Sequence, residues 1–133
     1  MDTLFTKIVK GEIPCYKIAE DNNHFAFLDI RPTSKGHTLV IPKLQNDYIF
    51  DLPDEQLGEL MIFAKKIAIA LKNAIPCERI GVKVIGLEVP HTHIHLIPIR
   101  VDGDMGHGKK VLKFTDNQFK EIAQAIRNNL FND

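Results

Sequence analysis

The sequence predicts an α+β fold built on an antiparallel sheet. Strand-like segments that neighbour each other in the chain are joined by short turns, and helical segments lie between groups of strands. A parallel, doubly wound sheet would instead place a helix after nearly every strand. The length of 133 residues and the hydrophobic content of 44% favour a single domain, residues 1–133, with a core of its own.

The N-terminal part is predicted to form one short helix and three strands. Leu4, Phe5 and Ile8 lie on one helical stripe, and Gly11 follows where a left-handed residue would end the helix. Turn residues separate the apolar segments that come next, and Pro42 ends the last of them. The predicted elements are a helix at 3–10 and strands at 15–20, 24–30 and 37–42.

The C-terminal part is predicted to form two helices and two further strands. Apolar residues recur every three or four positions from Leu57 to Leu71, which predicts a helix of about five turns that begins at Pro53. Thr115 and Gln118 form a capping-box pattern in front of a second amphipathic stretch. The remaining predicted elements are strands at 79–86 and 91–99 joined by 87–90, a mobile loop at 101–110 and a helix at 119–130.

Charge and cysteine usage exclude several classes of protein. Lys plus Arg equals Asp plus Glu at 17 each, so the overall charge favours neither nucleic acid nor an anionic membrane as a partner. Cys15 and Cys77 lie far apart without a CxxC pair, which argues against a disulfide framework or a cysteine-built zinc site. With neither a signal pattern nor an apolar run of about 20 residues, we expect a soluble, cytoplasmic protein.

Three of the six histidines fall within five residues, as His91, His93 and His95 of the run HTHIHLIP. In an extended chain, side chains two apart point the same way at roughly 6.6 Å, so these imidazoles are predicted to form one row. Such a row is rare by chance in this composition. Imidazole titrates near neutral pH, and it can therefore act as nucleophile, general acid or metal ligand.

Two kinds of chemistry remain open from the row itself. Imidazoles on alternate strand positions can bind zinc, usually with a further ligand from elsewhere in the chain. Alternatively, the central His93 can attack an electrophile while its neighbours bind and polarise it. Neither GxxxxGK[ST] nor GxGxxG is present, so a P-loop or a dinucleotide fingerprint cannot supply a phosphate site.

The surroundings of the row favour nucleophilic catalysis. His37 opens the third predicted strand and can join the histidines, although an isolated histidine is as often structural. Asp29 ends the apolar segment HFAFLDI, where a carboxylate can accept hydrogen bonds from a pair of ligand hydroxyls. An apolar slot beside polar anchors is a common way to hold a small ligand. The apolar candidates are Leu4, Phe5, Ile8 and Phe27.

The chain resembles the histidine triad (HIT) superfamily of nucleotide-binding hydrolases and transferases. The family motif is His-φ-His-φ-His-φ-φ with φ apolar, and HTHIHLI fits it except at Thr92. The resemblance also covers LFTKIVKGEIP at 4–14, AFLDIRPTSKGHTLVIPK at 26–43 and DLPDEQLGELM at 51–61. It implies a HIT-like fold with a five-stranded antiparallel sheet, and a homodimer in which two such sheets join into one of ten strands.

The resemblance also assigns roles to individual residues. It implies that His93 attacks the α-phosphorus of a nucleotide and forms a nucleotidyl-histidine intermediate. No metal or other cofactor is expected for this step. His95 would hydrogen-bond the phosphate oxygens, the carbonyl of His91 would fix the tautomer of His93, and His37 would complete the cluster. Asp29 would bind the ribose hydroxyls. The implied lining of a base pocket, purine by expectation, is Leu4, Phe5, Ile8, Phe27, Leu28 and Ile30.

The chain also departs from the family pattern in front of the triad and at the positions of a structural zinc site. Many relatives carry Gly-Gln-Ser or Gly-Gln-Thr before the triad, whereas this chain has Gly86, Leu87 and Glu88, and Glu88 could act as a proton donor only if burial raised its pKa. The residues that bind structural zinc in some bacterial relatives are replaced here, so we expect no structural zinc. The replacements are Thr3, Thr6 and Gln45.

Three hypotheses for function follow. The first is a hydrolase or transferase that cleaves a nucleoside monophosphate from a phosphoramidate or a dinucleoside polyphosphate. The second is a nucleotide-sensing or interaction module that turns over slowly, which the replacement at Leu87 and Glu88 favours. The third is a metalloenzyme built on the histidine row.

Overall fold

The computed structural model describes residues 1–106 and 110–130, which contain a five-stranded antiparallel sheet in the order β1-β2-β3-β5-β4. This architecture confirms the predicted α+β class. The helices are α1 (Leu4–Val9), α2 (Asp54–Ala74) and α3 (Asp116–Arg127). The strands are β1 (Lys17–Glu20), β2 (His24–Leu28), β3 (Thr38–Pro42), β4 (Arg79–Lys83) and β5 (Ile94–Ile99), and 3₁₀ turns occupy Ile49–Asp51 and Asp102–Met105.

The two faces of the sheet are covered by different helices. Strand side chains alternate between the two faces of the sheet. Since both faces are covered, β2 and β3 are buried at every position. One face packs against α2 and α3 and forms the larger core, which includes Ala26, Leu28 and Val40. The other face packs against α1 and forms a smaller core. That core consists of Phe5, Ile8, Phe25, Phe27, Leu39 and Ile41.

Capping residues set the starts of α1 and α3. The side chain of Thr3 accepts a hydrogen bond from the Thr6 backbone N–H at 3.1 Å and so caps α1. Thr115 and Gln118 form the predicted capping box at the start of α3. None of the described helices is long and apolar enough to cross a membrane.

The predicted strand at 91–99 begins later than expected, at Ile94. The His91 N–H donates to the Val89 carbonyl and the Thr92 N–H donates to the Asn46 carbonyl, so this stretch bonds outside the sheet. Ladder pairing with β3 starts only at Ile94. His91 and His93 therefore precede the strand instead of lying on it, and the prediction of three imidazoles in one extended row is wrong.

The first half of the predicted loop at 101–110 is ordered by local hydrogen bonds. This half contains the 3₁₀ turn Asp102–Met105, in which the Asp104 carboxylate accepts hydrogen bonds from the N–H groups of Arg100 and Val101. Met105 covers Gly81 of β4 so closely that a Cβ there would lie 2.4 Å from its sulfur. Residues 107–109 of this loop lie outside the described part of the chain, as do residues 131–133.

Candidate active site

Three histidines meet on the face of the sheet that α1 covers. His93 lies directly before β5, His95 lies within it, and His37 lies directly before β3. The ring centroids of His93 and His95 are 5.0 Å apart, and those of His37 and His95 are 5.2 Å apart. His37 and His93 are buried, while His95 is partly exposed. The structure thus brings the predicted His37 into contact with His95 of the triad.

The hydrogen bond made by His93 fixes its tautomer. Its Nδ1 lies 2.7 Å from the main-chain oxygen of His91. Because a carbonyl oxygen only accepts, Nδ1 must carry the proton, and Nε2 of the neutral ring keeps its lone pair. Phe5 packs edge-on against this ring with centroids 4.9 Å apart, which holds the imidazole in place.

A chain of hydrogen bonds likewise fixes the tautomers of His37 and His95. The backbone N–H of Thr33 donates to Nδ1 of His37 at 3.1 Å, so Nε2 of that ring carries the proton. This Nε2 lies 2.9 Å from Nδ1 of His95, which accepts the bond. The proton of neutral His95 must then reside on its Nε2. The site therefore sets a fixed N–H donor beside the free lone pair of His93.

Burial keeps these rings uncharged. It is the main reason that the pKa of His95 falls to about 3, and repulsion from His37 and His93, when they are protonated, and from Lys83 lowers it further. Burial also lowers the pKa of His37, and the Asp29 carboxylate, whose Oδ2 lies 3.5 Å from Nε2 of His37, opposes this effect. Near neutral pH both imidazoles are neutral, which is the state that the hydrogen-bond chain requires.

The His91 side chain is buried and has a structural role. It has no exposed surface, its Nε2 donates to the Pro42 carbonyl at 2.8 Å, and its Nδ1 accepts from the Thr3 hydroxyl at 2.8 Å. Burial is the first cause of its lowered pKa. With both nitrogens engaged, the His91 ring has no nitrogen free for a ligand, and its carbonyl oxygen accepts the bond from His93.

Thr3, Thr6 and Gln45 form a polar network around His91 that joins α1 to the loop after β3. The Thr6 hydroxyl donates to Oε1 of Gln45 at 2.8 Å, and the Thr3 N–H donates to the same oxygen at 3.2 Å. The Thr3 hydroxyl also receives the capping bond of α1. This network, which the sequence patterns did not predict, connects the first helix to the residue that orients His93.

Asp29 lies beside the histidines, next to His37. Asp29 follows β2, its side chain is 18% exposed, and its Oδ1 accepts from the Arg31 N–H at 2.8 Å. Phe5, Ile8 and Phe27 are buried on this face, while Leu4 is 47% exposed and Ile30 is 66% exposed. The predicted apolar residues therefore divide into three that are buried and two that are exposed.

Two predicted substrate-binding residues do not fit the arrangement expected for them. Leu28 alternates with Phe27 along β2, so its side chain enters the core under α2 and α3 on the opposite face of the sheet. It cannot line a pocket next to Phe5. Glu88 is exposed, so it lacks the burial on which a role as proton donor depended.

Among the described residues, one group has potential metal-ligand atoms that all lie within 4.8 Å of one another. It consists of Asp29, His37 and His95. Two imidazole nitrogens that bind one tetrahedral zinc lie about 3.3 Å apart, given Zn–N bonds of about 2.0–2.1 Å. The nitrogens of His37 and His95 are 2.9 Å apart, a hydrogen-bond distance, and the donor of Thr33 accounts for the proton between them. The geometry fits a hydrogen bond better than a shared ion.

Lys83 is a further charged residue of the site, and the motif did not reveal it. It is the last residue of β4 and pairs directly with His95 across the antiparallel ladder. Directly paired residues present their side chains on the same face, so Lys83 stands beside His95. Its place beside His95 follows from the register of β4 and β5, which the sequence alone does not fix.

Comparisons with known proteins agree with this geometry. A profile of the family described as "HIT domain" matches residues 10–102. An adenosine 5'-monophosphoramidase of Schizosaccharomyces pombe is 44% identical over 129 residues, which cover 95% of this chain and 96% of that protein. The adenosine 5'-monophosphoramidase of Saccharomyces cerevisiae is 44% identical over 98 residues, 73% of this chain, and the match spans only 62% of the yeast protein.

Solved structures show the same architecture. A HIT-like protein from Bartonella henselae superposes with a TM-score of 0.82 at 33% identity, covering 97% of both chains. A zinc-bound histidine triad family protein from Mycobacterium smegmatis superposes with a TM-score of 0.81 at 30% identity, covering 98% of this chain and 94% of that one.

Proposed function

The chain belongs to the HIT domain family, and from that premise we propose that it cleaves nucleoside monophosphates from phosphoramidates or nucleoside polyphosphates through a covalent intermediate on His93. The observation that carries the proposal is the bond from His93 Nδ1 to the His91 carbonyl at 2.7 Å. In the neutral ring this bond leaves the lone pair on Nε2, which is what a nucleophile requires. The adenosine 5'-monophosphoramidases among the similar proteins support the same reaction class.

The reaction proceeds in two displacements at phosphorus. In the first, the lone pair of His93 Nε2 forms a P–N bond while the bond from phosphorus to the leaving amine or phosphate breaks. The leaving group departs with that electron pair, and an amine takes up a proton from solvent. In the second, a water oxygen attacks the same phosphorus, the P–N bond breaks with its electron pair returning to Nε2, and the proton that the water loses passes to solvent. The Nε2–H of His95 donates to a phosphoryl oxygen on which negative charge grows in both transition states.

The nucleoside is held on the side of the site that faces β2. Asp29 has a carboxylate oxygen available beside the histidines, and a pair of ribose hydroxyls can donate to it. Phe5 and Phe27 pack in the apolar core on the face that carries the histidines, and an apolar surface there suits the flat face of a purine base.

The test uses adenosine 5'-phosphoramidate and the variant His93→Ala. The wild-type protein should release AMP, and the variant should lose at least about a thousandfold in kcat/KM, because no other described side chain offers a free imidazole lone pair at this place. A slow AMP ester should leave AMP covalently attached to His93, detected by mass spectrometry of the intact protein. Undiminished turnover by His93→Ala would overturn the proposal. Loss of activity in chelator would instead favour the metalloenzyme.

A nucleotide-sensing module is the second candidate, because Leu87 and Glu88 replace the polar residues that precede the triad in many relatives. Leu87 is 89% exposed and Glu88 is also exposed, so neither is packed against the histidines. Nucleotide binding by calorimetry without measurable release of AMP would select this function over the enzyme.

The homodimer expected from the resemblance is also proposed. β4 is an edge strand of the sheet, and α2 contacts it. Ile62 and Ile69 on α2 and Val82 on β4 are each about half exposed, at 59%, 47% and 52%. Pairing of two β4 edges would cover this apolar surface and extend the sheet to ten strands. Sedimentation equilibrium should give twice the 15.1 kDa mass of one chain.

A further inference from the structure

Lys83 places a positive charge next to the histidines on the side away from the nucleoside. It ends β4 and pairs with His95, so both side chains lie on the face that carries the site. Within the described ranges 1–106 and 110–130, no carboxylate lies at ion-pair distance from its ammonium group. The side chain is partly buried. The charge is therefore available to a ligand.

The positive charge of Lys83 also acts on two of the histidines. After burial, the positive charge of Lys83 is among the causes that lower the pKa of both His37 and His95. A cation that disfavours protonation of two imidazoles will equally favour an anion bound next to them.

The order of the strands defines the direction in which the leaving group departs. β2 and β3 lie on one side of β5, and β4 lies on the other. With the ribose held by Asp29 at the end of β2 and the phosphate above His93 and His95, the remainder of the substrate extends over β4. Lys83 is the charged side chain that β4 presents there, since Gly81 before it on the same face is covered by Met105.

We propose that Lys83 binds an anionic oxygen group in the leaving part of the substrate, either a carboxylate or a phosphate, and so makes this chain select charged over neutral leaving groups. This inference rests on the proposed function. Lys83 is then a specificity-determining residue, because its contact is with the leaving part and not with the phosphorus that His93 attacks.

The experiment compares three adenosine substrates. In the first two, AMP is joined through nitrogen to propylamine or to β-alanine, which have the same reach and differ by one carboxylate. The third is diadenosine triphosphate, whose leaving part carries phosphate. The wild-type protein should prefer the charged substrates. Lys83→Met should lower kcat/KM for them by about tenfold or more, the range expected when a charge-assisted hydrogen bond is lost, and leave the propylamine substrate within about twofold.

Two further variants make the comparison specific. Lys83→Arg keeps the charge and should keep the preference. Lys65→Met removes a lysine from the exposed surface of α2, which packs on the other face of the sheet, and should change none of the three rates. A loss confined to the β-alanine substrate would assign the site to carboxylates, and a loss confined to diadenosine triphosphate would assign it to phosphates.

The outcomes separate this inference from the proposed function. If the wild-type protein hydrolyses the propylamine substrate through His93 but Lys83→Met changes all three rates equally or not at all, the role of Lys83 is wrong and the proposed function stands. If the wild-type protein hydrolyses none of the three, both fall together.

Discussion

Removing one hydroxyl group, by Thr3→Val, should destabilise the protein more than its position at the start of the chain suggests. The Thr3 Oγ1 donates to Nδ1 of His91 at 2.8 Å and accepts from the Thr6 N–H at 3.1 Å. Thr3 is 7% exposed and His91 is fully buried, so water cannot replace either partner without opening the structure. Valine has nearly the same shape and provides neither bond.

The magnitude follows from the two bonds. A buried acceptor left without a donor costs about 1–3 kcal/mol, and a lost N-cap costs about 1 kcal/mol. The Thr6 hydroxyl lies 3.4 Å from the same nitrogen of His91 and can recover part of the first loss. We therefore expect the free energy of unfolding to fall by about 2–3 kcal/mol.

Urea denaturation followed by circular dichroism measures this difference, and two variants serve as controls. Thr3→Ser keeps the hydroxyl and should cost less than about 1 kcal/mol. Thr115→Val removes the exposed cap of α3, with no buried histidine involved, and should cost about 1 kcal/mol. If Thr3→Val costs no more than Thr115→Val, the bond to His91 contributes nothing and the reasoning is refuted.

Two further predictions concern stability. Because the pKa of His95 lies at about 3, below its ordinary 6.5, the unfolded state binds more protons in acid, and His95 alone should lower the free energy of unfolding by about 2 kcal/mol from about pH 7 to about pH 5. Urea titrations should show a smaller fall in His95→Phe, and equal falls would contradict the assignment. Gly36→Ala should lower the free energy of unfolding, measured by thermal unfolding, by about 2–3 kcal/mol, because Gly36 has φ +89° and an added Cβ would lie 2.9 Å from Ile75. Gly58→Ala has free space in α2 and should raise it by about 0.5–1 kcal/mol. Equal effects of the two glycine changes would refute this.

The parts of the fold that depend on local pattern could be predicted from the sequence. Apolar spacing from Leu57 to Leu71 predicted the long helix, and Thr115 with Gln118 predicted the start of the last one. These signals act between residues a few positions apart, so tertiary contacts did not override them. The run at 91–99 shows the limit, because the bond from Thr92 to Asn46 delays the strand and no local pattern contains that partner.

By itself, the sequence determined the class of fold, the family resemblance and the identity of the histidines that form the site, since each is encoded in residue type and spacing. Only the tertiary structure decided which nitrogen of each ring carries its proton, that the His91 ring is buried beside Thr3, that Leu28 faces the opposite core and that Lys83 stands beside His95. The physical reason is distance along the chain. Those features depend on strand register and on hydrogen bonds between residues up to 88 positions apart, which only the folded chain brings together.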